Sequence, residues 1–243
     1  MPETPVKWAA QLSHVREVSL LGTADLDFWA DRLRVEGLTP VGRDGRAQVM
    51  VIAADARFMR VRFRELSFSV LARREVNGAP RDGAYLERAF NSRRFFAFVE
   101  RTFFATPYEY GDVRVSAAAP ASMALVRDGA DVFRAAMGSD ADAATRSPAR
   151  LGEGGFNGPV FLPGQPARAG RPARLFFARI EGHTATYPFV HSVDSVTIHA
   201  TPAGGVLAAL VDSHFVADEW QVREDASHAK SKTVRTDDAF GGG

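Results

Sequence analysis

Apolar and polar residues alternate over many short stretches of this chain, and a period of two is typical of strands with one buried face. The clearest alternation runs over Val61–Leu71 (VRFRELSFSVL), after a compact apolar stretch at Ala47–Ala53. Looser patterns predict further strands at His14–Leu21, Ala84–Phe90, Leu175–Tyr187, Ser195–Thr201, Gly205–Asp212 and Phe215–Val222. Strands therefore dominate the predicted secondary structure.

In two segments the apolar residues recur with the spacing of a helix. Over Asp25–Leu33 the apolar residues fall on one helix face, and Asp25 is placed to cap the first turn. A second short helix is predicted over Arg93–Arg101, with Asn91 or Ser92 as its cap.

A hairpin is predicted at Ser122–Met137, because Asp128 and Gly129 form a turn between two alternating stretches. Many short strands with two brief helices favour a mainly β fold with α additions (α+β), built as a barrel or double cone. The length of 243 residues suits a single domain spanning 1–243.

Two regions lack a clear period. Residues 138–170 are rich in Ala, Gly, Pro, Asp and Arg, which predicts a loop or lid. Within them Gly152–Gly158 (GEGGFNG) has no strand-to-helix setting for phosphate, so it is expected to be a flexible loop. Residues 224–243 are polar and end in glycines, which predicts a flexible tail.

Composition narrows the range of partners. A formal net charge of +1 provides no long-range field for nucleic acid or an anionic membrane. The chain has no apolar run of membrane-spanning length and no leader-like N-terminus, so a cytoplasmic location is expected. It has no cysteine, which excludes thiolate chemistry. The expected partners are a small molecule and a second copy of the chain in a homo-oligomer.

One strand carries a candidate site. One face of the strand predicted over Val61–Leu71 carries Val61, Phe63, Glu65, Ser67 and Ser69. A carboxylate within an apolar strand pattern is costly unless it is paired or used, so this face is expected to line a pocket or a barrel interior. A glutamate in such a pocket can hold a proton near neutral pH.

A longer stretch carries a family resemblance. Gly83–Glu109 reads GAYLERAFNSRRFFAFVERTFFATPYE, with Arg101 six residues before Pro107. This segment resembles the acetoacetate decarboxylase family, in which a Pro-Lys-Lys step carries the Schiff-base lysine. The Ser-His-x-x-Ala-Asp run that begins at Ser213 and His214 is also similar to the family.

The chain departs from the family at the nucleophile. Tyr108 and Glu109 stand where the family has its two lysines, and the lysines of this chain are Lys7, Lys230 and Lys232, near its two ends. An imine-forming amine is therefore expected to be missing from the site, and no cofactor is expected. Tyr108 is predicted to donate a proton, with Glu109 beside it as a candidate acceptor.

The resemblance also implies site roles. Arg16 matches an arginine that lines the family pocket and would bind an oxyanion, while Glu65 matches a glutamate that handles protons. Further contacts to substrate are expected from Arg101, Glu109, Phe98, Phe104 and His214. The phenylalanines around this segment form either an aromatic core or a pocket for a larger apolar substrate.

The predicted function is that of a cofactor-independent lyase or isomerase acting on a small oxo acid or related carbonyl compound without Schiff-base formation. Dehydration, cyclisation, enolisation and decarboxylation all belong to this class. One alternative is a non-catalytic small-molecule-binding protein that kept the pocket. Another is a metal-dependent hydrolase using His183, His191 and His199, although their regular spacing does not make them converge.

Overall fold

A computed structural model describes residues 6–138, 146–164, 173–199, 205 and 207–240. Its strands are β1 (Trp8–Asp25), β2 (Thr39–Pro40), β3 (Gly42–Arg43), β4 (Arg46–Phe58), β5 (Val61–Val76), β6 (Ala79–Asn91), β7 (Tyr108–Tyr110), β8 (Asp112–Ser116), β9 (Ser122–Arg127), β10 (Ala130–Ala136), β11 (Arg150–Phe161), β12 (Arg174–Pro188), β13 (Ser195–Ile198), β14 (Val216–Ser231) and β15 (Val234–Arg235). Its helices are α1 (Leu26–Arg34), α2 (Arg94–Phe103), α3 (Ala208–Asp212) and α4 (Thr236–Ala239).

The larger sheet closes on itself. Seven strands follow one another in the order β5, β4, β1, β14, β12, β11 and β6, and β6 pairs again with β5. The short strands β2, β3, β7 and β15 attach to this ring. Closure leaves the ring strands without free edges and gives every one of them an inner and an outer face. The predicted mainly β barrel with α additions is confirmed.

A second sheet, ordered β13, β10, β9 and β8, covers part of the barrel. Its strand β8 contacts β1, β4 and β5 on their outer side. The main hydrophobic core fills this interface, and it includes Leu20, Val51 and Phe68 from the barrel together with Leu125 and Phe133 from the second sheet. This core leaves the opposite faces of the barrel strands to surround the barrel interior.

The two longer helices begin differently. At α1 the prediction is confirmed, because the Asp25 side chain accepts a hydrogen bond of 2.8 Å from the Phe28 amide. At α2 the first residue is preceded by Arg93, whose own side chain makes no capping bond. Asn91 instead accepts from the Arg93 amide at 2.9 Å, and Ser92 accepts from the Arg64 amide at 2.8 Å. These side chains join α2 to the barrel wall rather than capping it.

The prediction of a loop or lid over residues 138–170 is wrong for its central part. Strand β11 occupies Arg150–Phe161 and pairs with β12 along its whole length, so the glycine-rich Gly152–Gly158 is a strand. Backbone hydrogen bonds to β12 supply the order that the glycine side chains cannot provide. Residues 138, 146–149 and 162–164 are loop, as predicted, and 139–145 and 165–170 lie outside the described residues.

Two further predictions near the C-terminus need correction. The expected tail at 224–243 is strand up to Ser231, since β14 inserts between β1 and β12; β15 and α4 follow, and 241–243 lie outside the described residues. The predicted strand at Gly205–Asp212 contains helix α3 from Ala208 onward. None of the helices in the described ranges has the length and apolar character of a membrane span.

Candidate functional site

The interior of the barrel contains a cavity of about 260 Å³. Because side chains alternate along each strand, every ring strand sends some of them inward. Ala10, Met50, Glu65, Leu86, Val160, Phe176 and His228 are examples from β1, β4, β5, β6, β11, β12 and β14. Helix α2 lies over the same space through Phe96, Val99 and Glu100.

Strand β5 places the carboxylate that the sequence singled out. Phe63, Glu65, Ser67 and Ser69 line the cavity, as their shared strand face predicts. Val61, the first residue of the strand, is 45% exposed and lies beyond this wall. The Glu65 side chain therefore faces a mostly apolar cavity, in which it is partly buried.

Glu65 and Tyr108 form a hydrogen-bonded pair. The Tyr108 hydroxyl donates to Glu65 Oε2 at 3.0 Å. Tyr108 reaches Glu65 because β7 runs parallel to β6, with Tyr108 beside Ala89, at the edge of the ring next to β5. The sequence predicted both residues for the site, and the fold brings them together although they are 43 positions apart.

Burial sets the protonation of this pair. Loss of hydration raises the pKa of Glu65 above its ordinary value, and the nearby positive charge of His228 only partly opposes this effect. Burial also raises the pKa of Tyr108 well above its ordinary value, and the Glu65 charge adds to the rise. The phenol therefore stays protonated as a donor, while the carboxyl can exchange a proton at higher pH than an exposed glutamate.

A lysine also reaches this site. Lys230 on β14 lines the cavity and forms an ion pair with Glu100 of α2. Its Nζ lies 4.5 Å from the ring centroid of Phe176, 4.9 Å from that of Phe104 and 5.7 Å from that of Tyr108. The expectation that no amine lies near Tyr108 is therefore wrong, because β14 carries a residue distant in sequence back into the barrel.

A second buried carboxylate lies on β1, which pairs with β14. Glu17 on β1 is fully buried and forms ion pairs with Arg223 and with His228, whose Nε2 is 2.7 Å from Glu17 Oε2. Burial alone would raise the pKa of Glu17, but His228, Arg223 and the Ser19 hydroxyl outweigh it and lower the pKa to about 2. Glu17 in turn raises the pKa of His228 against the effect of burial. Since His228 lines the cavity, this network supplies positive charge close to Glu65.

Predicted site residues on β1 and α2 are solvent-exposed. Arg16 points outward from β1, because strand alternation turns its neighbour Glu17 into the barrel. On α2, Arg101 is exposed and Phe98 is 50% exposed, since the opposite face of this helix covers the cavity. The predicted pocket positions of these residues are therefore corrected, whereas Phe104 does line the cavity.

Glu109 and His214 also lie away from the pair. Glu109 forms ion pairs with Arg127 at 2.6 Å and Arg88 at 3.7 Å, because alternation on β7 turns it opposite to Tyr108. The acceptor of the Tyr108 hydroxyl is thus Glu65 and not Glu109. His214 is exposed in a turn after α3, where its carbonyl accepts a hydrogen bond of 2.9 Å from Arg46.

The histidines considered for a metal are spread over the surface. His183, His191 and His199 are exposed, and His183 Nδ1 lies 3.9 Å from Glu153 Oε1. Across the ranges that the structure describes, no three side chains of the metal-binding types converge on one point. A metal-dependent hydrolase therefore finds no support in the geometry of these residues.

Several residues of the interior were not predicted for the site, among them the charged residues Glu17, Glu100, Arg223, His228 and Lys230. A signal existed for the last strand, because His228 and Lys230 are two positions apart and share a strand face. The polar composition of residues 224–243 hid this period. Glu17 could have been found because it is a carboxylate within the apolar alternation of β1. Its neighbour Arg16 was predicted for the pocket instead.

Comparison with known proteins identifies the fold through structure. No family model matches the chain, and no curated protein matches it. Acetoacetate decarboxylase from Legionella pneumophila superposes with a TM-score of 0.60 at 14% identity, over 96% of this chain and 92% of that one. An acetoacetate decarboxylase-like enzyme from Sphingomonas wittichii RW1 gives 0.57 at 13% identity, over 95% and 93%.

A third similar structure is the enduracididine biosynthesis enzyme MppR complexed with pyruvate. It superposes with a TM-score of 0.56 at 16% identity, over 94% of this chain and 89% of that one. At such low identities the likeness concerns the path of the backbone, and function has to be argued from the site. The protein described here has the acetoacetate decarboxylase-like fold.

Proposed function

We propose that this protein is a cofactor-independent lyase or isomerase that moves a proton next to the carbonyl group of a small oxo acid. The observation that supports this most strongly is the hydrogen bond between Tyr108 and Glu65 inside a mostly apolar cavity. A base and a proton donor in contact are the groups that enolisation requires.

Glu65 acts as the base in this proposal. Its raised pKa suits proton transfer near neutral pH better than the pKa of an exposed glutamate would. The bond between carbon and hydrogen breaks, the proton moves to Glu65, and the electron pair shifts to the carbonyl oxygen to give an enolate. Return of the proton from Glu65 to another position gives isomerisation. Where the substrate carries a β-hydroxyl group, the bond between Cβ and that oxygen breaks, and the enolate electron pair forms the new double bond. The proton held by Glu65 leaves with the hydroxyl as water, which gives dehydration.

Tyr108 and Lys230 stabilise the enolate in this scheme. The Tyr108 hydroxyl, which stays protonated, turns from Glu65 to the developing oxyanion. Lys230 takes the oxyanion-binding role that the sequence suggested for Arg16, because its ammonium lies beside Tyr108 and Arg16 is exposed. Positive charge from His228 further favours an anionic intermediate near Glu65.

The choice of an oxo acid has two supports. The cationic side chain of Lys230 in the cavity suits a carboxylate or an enolate oxygen. The similar enzyme MppR has been seen in complex with pyruvate, which is a 2-oxo acid. Decarboxylation by this site needs a substrate that carries its own electron sink, unless an imine forms.

Imine formation through Lys230 is a second candidate mechanism, favoured by the position of its amine inside the cavity. The ion pair with Glu100 opposes it, since a protonated lysine is not a nucleophile. Borohydride reduction in the presence of a ketone substrate separates the two mechanisms. An imine would add the mass of the reduced ketone to Lys230, while the acid/base mechanism predicts an unmodified chain.

The proposed function is tested by proton NMR in heavy water with short and aryl-bearing 2-oxo and 3-oxo acids, which follows exchange, carbon dioxide loss and new products together. The wild-type protein is expected to convert or exchange at least one of them, and Glu65→Gln to lose at least about 100-fold in rate. Glu75→Gln is the matched control, because Glu75 lies on the same strand but is exposed. Ligand binding without exchange in the wild type would favour the binding-protein alternative.

A further inference from the structure

The walls of the cavity are unusually aromatic for their size. Six phenylalanines line it, and they come from both the barrel strands and the α2 region: Phe58, Phe63, Phe96, Phe104, Phe156 and Phe176. Among these, Phe96 contacts Phe63 edge-to-face with ring centroids 5.3 Å apart, and Phe58 at 6.4 Å. These three rings form one aromatic wall where α2 meets the β4–β5 hairpin. Such a wall favours a flat apolar group.

The cavity volume sets the size of the ligand. An engineered protein cavity of about 150 Å³ binds benzene, which has six non-hydrogen atoms. Scaled by volume, the cavity of about 260 Å³ holds roughly ten non-hydrogen atoms at the same packing. A two- or three-carbon acid would leave much of the aromatic wall without a contact.

Positive charge limits the ligand to a single anionic group. Lys230 pairs with Glu100, and Glu17 faces two positive partners, Arg223 and His228. Arg179, which also lines the cavity, pairs with Glu181. The ammonium of Lys230 lies over the lining aromatic rings, and its single positive charge matches one carboxylate. A second anionic group would lie in the mostly apolar cavity beside Glu65 and Glu100.

Helix α2 fixes the distance between the anion and the aromatic wall. Phe96 and Glu100 lie four residues apart on its inner face, which corresponds to a separation of about 6 Å along the helix axis. Since Lys230 is held at Glu100, a carboxylate bound by Lys230 has the Phe96 ring about one helical turn away. An aryl group one or two bonds from a carboxylate spans this distance.

We infer that the cavity selects an aryl-bearing monocarboxylate of about ten non-hydrogen atoms, with Lys230 binding the carboxylate and the wall of Phe58, Phe63 and Phe96 binding the ring. This inference rests on the proposed function only in placing the site in the barrel cavity, because it concerns recognition and not proton transfer. Lys230 and Phe96 are its specificity-determining residues.

The test is a binding measurement with the full chain and phenylacetate, which has no ketone and therefore reports recognition alone. Titration calorimetry is expected to show phenylacetate binding at least about tenfold tighter than the neutral phenylacetamide, since the amide oxygen can accept a hydrogen bond from Lys230 but carries no negative charge to pair with its ammonium. Acetate, which lacks the ring, is expected to bind at least about tenfold more weakly than phenylacetate because it leaves the aromatic wall unfilled.

Matched variants assign each preference to its residue. Lys230→Met is expected to abolish the preference for phenylacetate over phenylacetamide, while Lys232→Met keeps it, because Lys232 is exposed. Phe96→Leu is expected to weaken the binding of phenylacetate but not of acetate, and Phe95→Leu leaves both unchanged, since Phe95 is 69% exposed on the same helix. Thermal melting of each variant confirms that it is folded.

The inference is overturned if folded wild-type protein binds acetate as tightly as phenylacetate, or if folded Lys230→Met keeps the charge preference. Binding of phenylacetate with these dependences, in a protein that exchanges no protons of any oxo acid, would support this inference and contradict the proposed function. The reverse result, exchange dependent on Glu65 without an aryl preference, would contradict this inference alone.

Discussion

Two glutamates inside the same barrel have opposite protonation behaviour. Glu17 contacts Arg223 and His228 and is held ionised, with its pKa lowered to about 2. Glu65 contacts a neutral phenol, and burial raises its pKa. Environments that move two carboxyl pKa values apart are how proteins assign different roles to one residue type. Glu17 thus fixes charge in the interior, and Glu65 is the group suited to carry a proton.

The raised pKa of Glu65 predicts a stability cost at high pH. The folded state binds this proton more tightly than the unfolded chain, so the stabilisation is full below the ordinary carboxyl pKa and is lost as pH rises through the raised pKa. Glu65→Gln removes this titration. As the pH rises from 4 to 8, we therefore expect the wild type to lose more unfolding free energy than the variant does, as measured by urea denaturation.

The control for this stability measurement is Glu75→Gln, which removes an exposed carboxylate from the same strand. It is expected to leave the pH dependence of the wild type unchanged. If Glu65→Gln and the wild type kept a constant difference in unfolding free energy across this pH range, the pKa of Glu65 would not be raised in the folded state.

Single residues differed in how well the sequence predicted them. Glu65 was found because a carboxylate interrupts an apolar strand face, which is a local signal. Lys230 was missed because its contact with Tyr108 depends on how β14 inserts into the ring, which no local pattern encodes. Arg16 was predicted for the pocket from the family resemblance, whereas its neighbour Glu17 faces the interior, because adjacent residues of a strand lie on opposite faces.

At the scale of elements, helix α2 has two aromatic faces. Its inner face lines the cavity with Phe96, while Phe95 and Phe103 on its outer face are 69% and 72% exposed. The helix was predicted correctly to within a few residues, but the face that covers the cavity could not be derived. Phenylalanines occur on both faces, so their positions alone do not identify the face that covers the cavity.

Strand β11 was predicted to be a loop, and substitution of its glycines tests whether it pairs with β12. A Cβ added at Gly155 would lie 1.7 Å from the Ile180 carbonyl oxygen on β12, whereas one added at Gly152 meets no atom within 4 Å. We expect Gly155→Ala to lower the free energy of unfolding by about 1–3 kcal/mol and Gly152→Ala to change it by less than about 0.5 kcal/mol. Equal melting temperatures for the two variants would argue against the β11–β12 pairing.

Composition explains which elements were recognised. Strands with alternating large apolar residues, such as β4 and β5, were found close to their actual positions. Glycine has no side chain to alternate, so β11 resembled a loop, and β14 resembled a tail beyond Glu224 because its polar residues face both the interior and solvent. Their order comes from pairing with neighbouring strands.

At the scale of the whole molecule, closure of the seven-stranded ring creates the site. Each ring strand contributes side chains to the cavity, and the residues that matter come from β1, β5, β7, β14 and α2. The barrel class was predictable from the number and length of the alternating segments. The order of strands around the ring was not, because pairings such as β1 with β14 join the two ends of the chain.

The most direct test of the central claim is the initial rate of deuterium incorporation into the best oxo acid, measured for the wild type, Glu65→Gln, Tyr108→Phe and the double variant. Glu65→Gln is expected to lose at least about 100-fold and Tyr108→Phe at least about tenfold. Because the two side chains act as one hydrogen-bonded pair, the double variant is expected to lose little more than Glu65→Gln alone. Tyr110→Phe is the control, since Tyr110 is on the same strand and 44% exposed. Wild-type rates in folded Tyr108→Phe and Glu65→Gln would contradict the account.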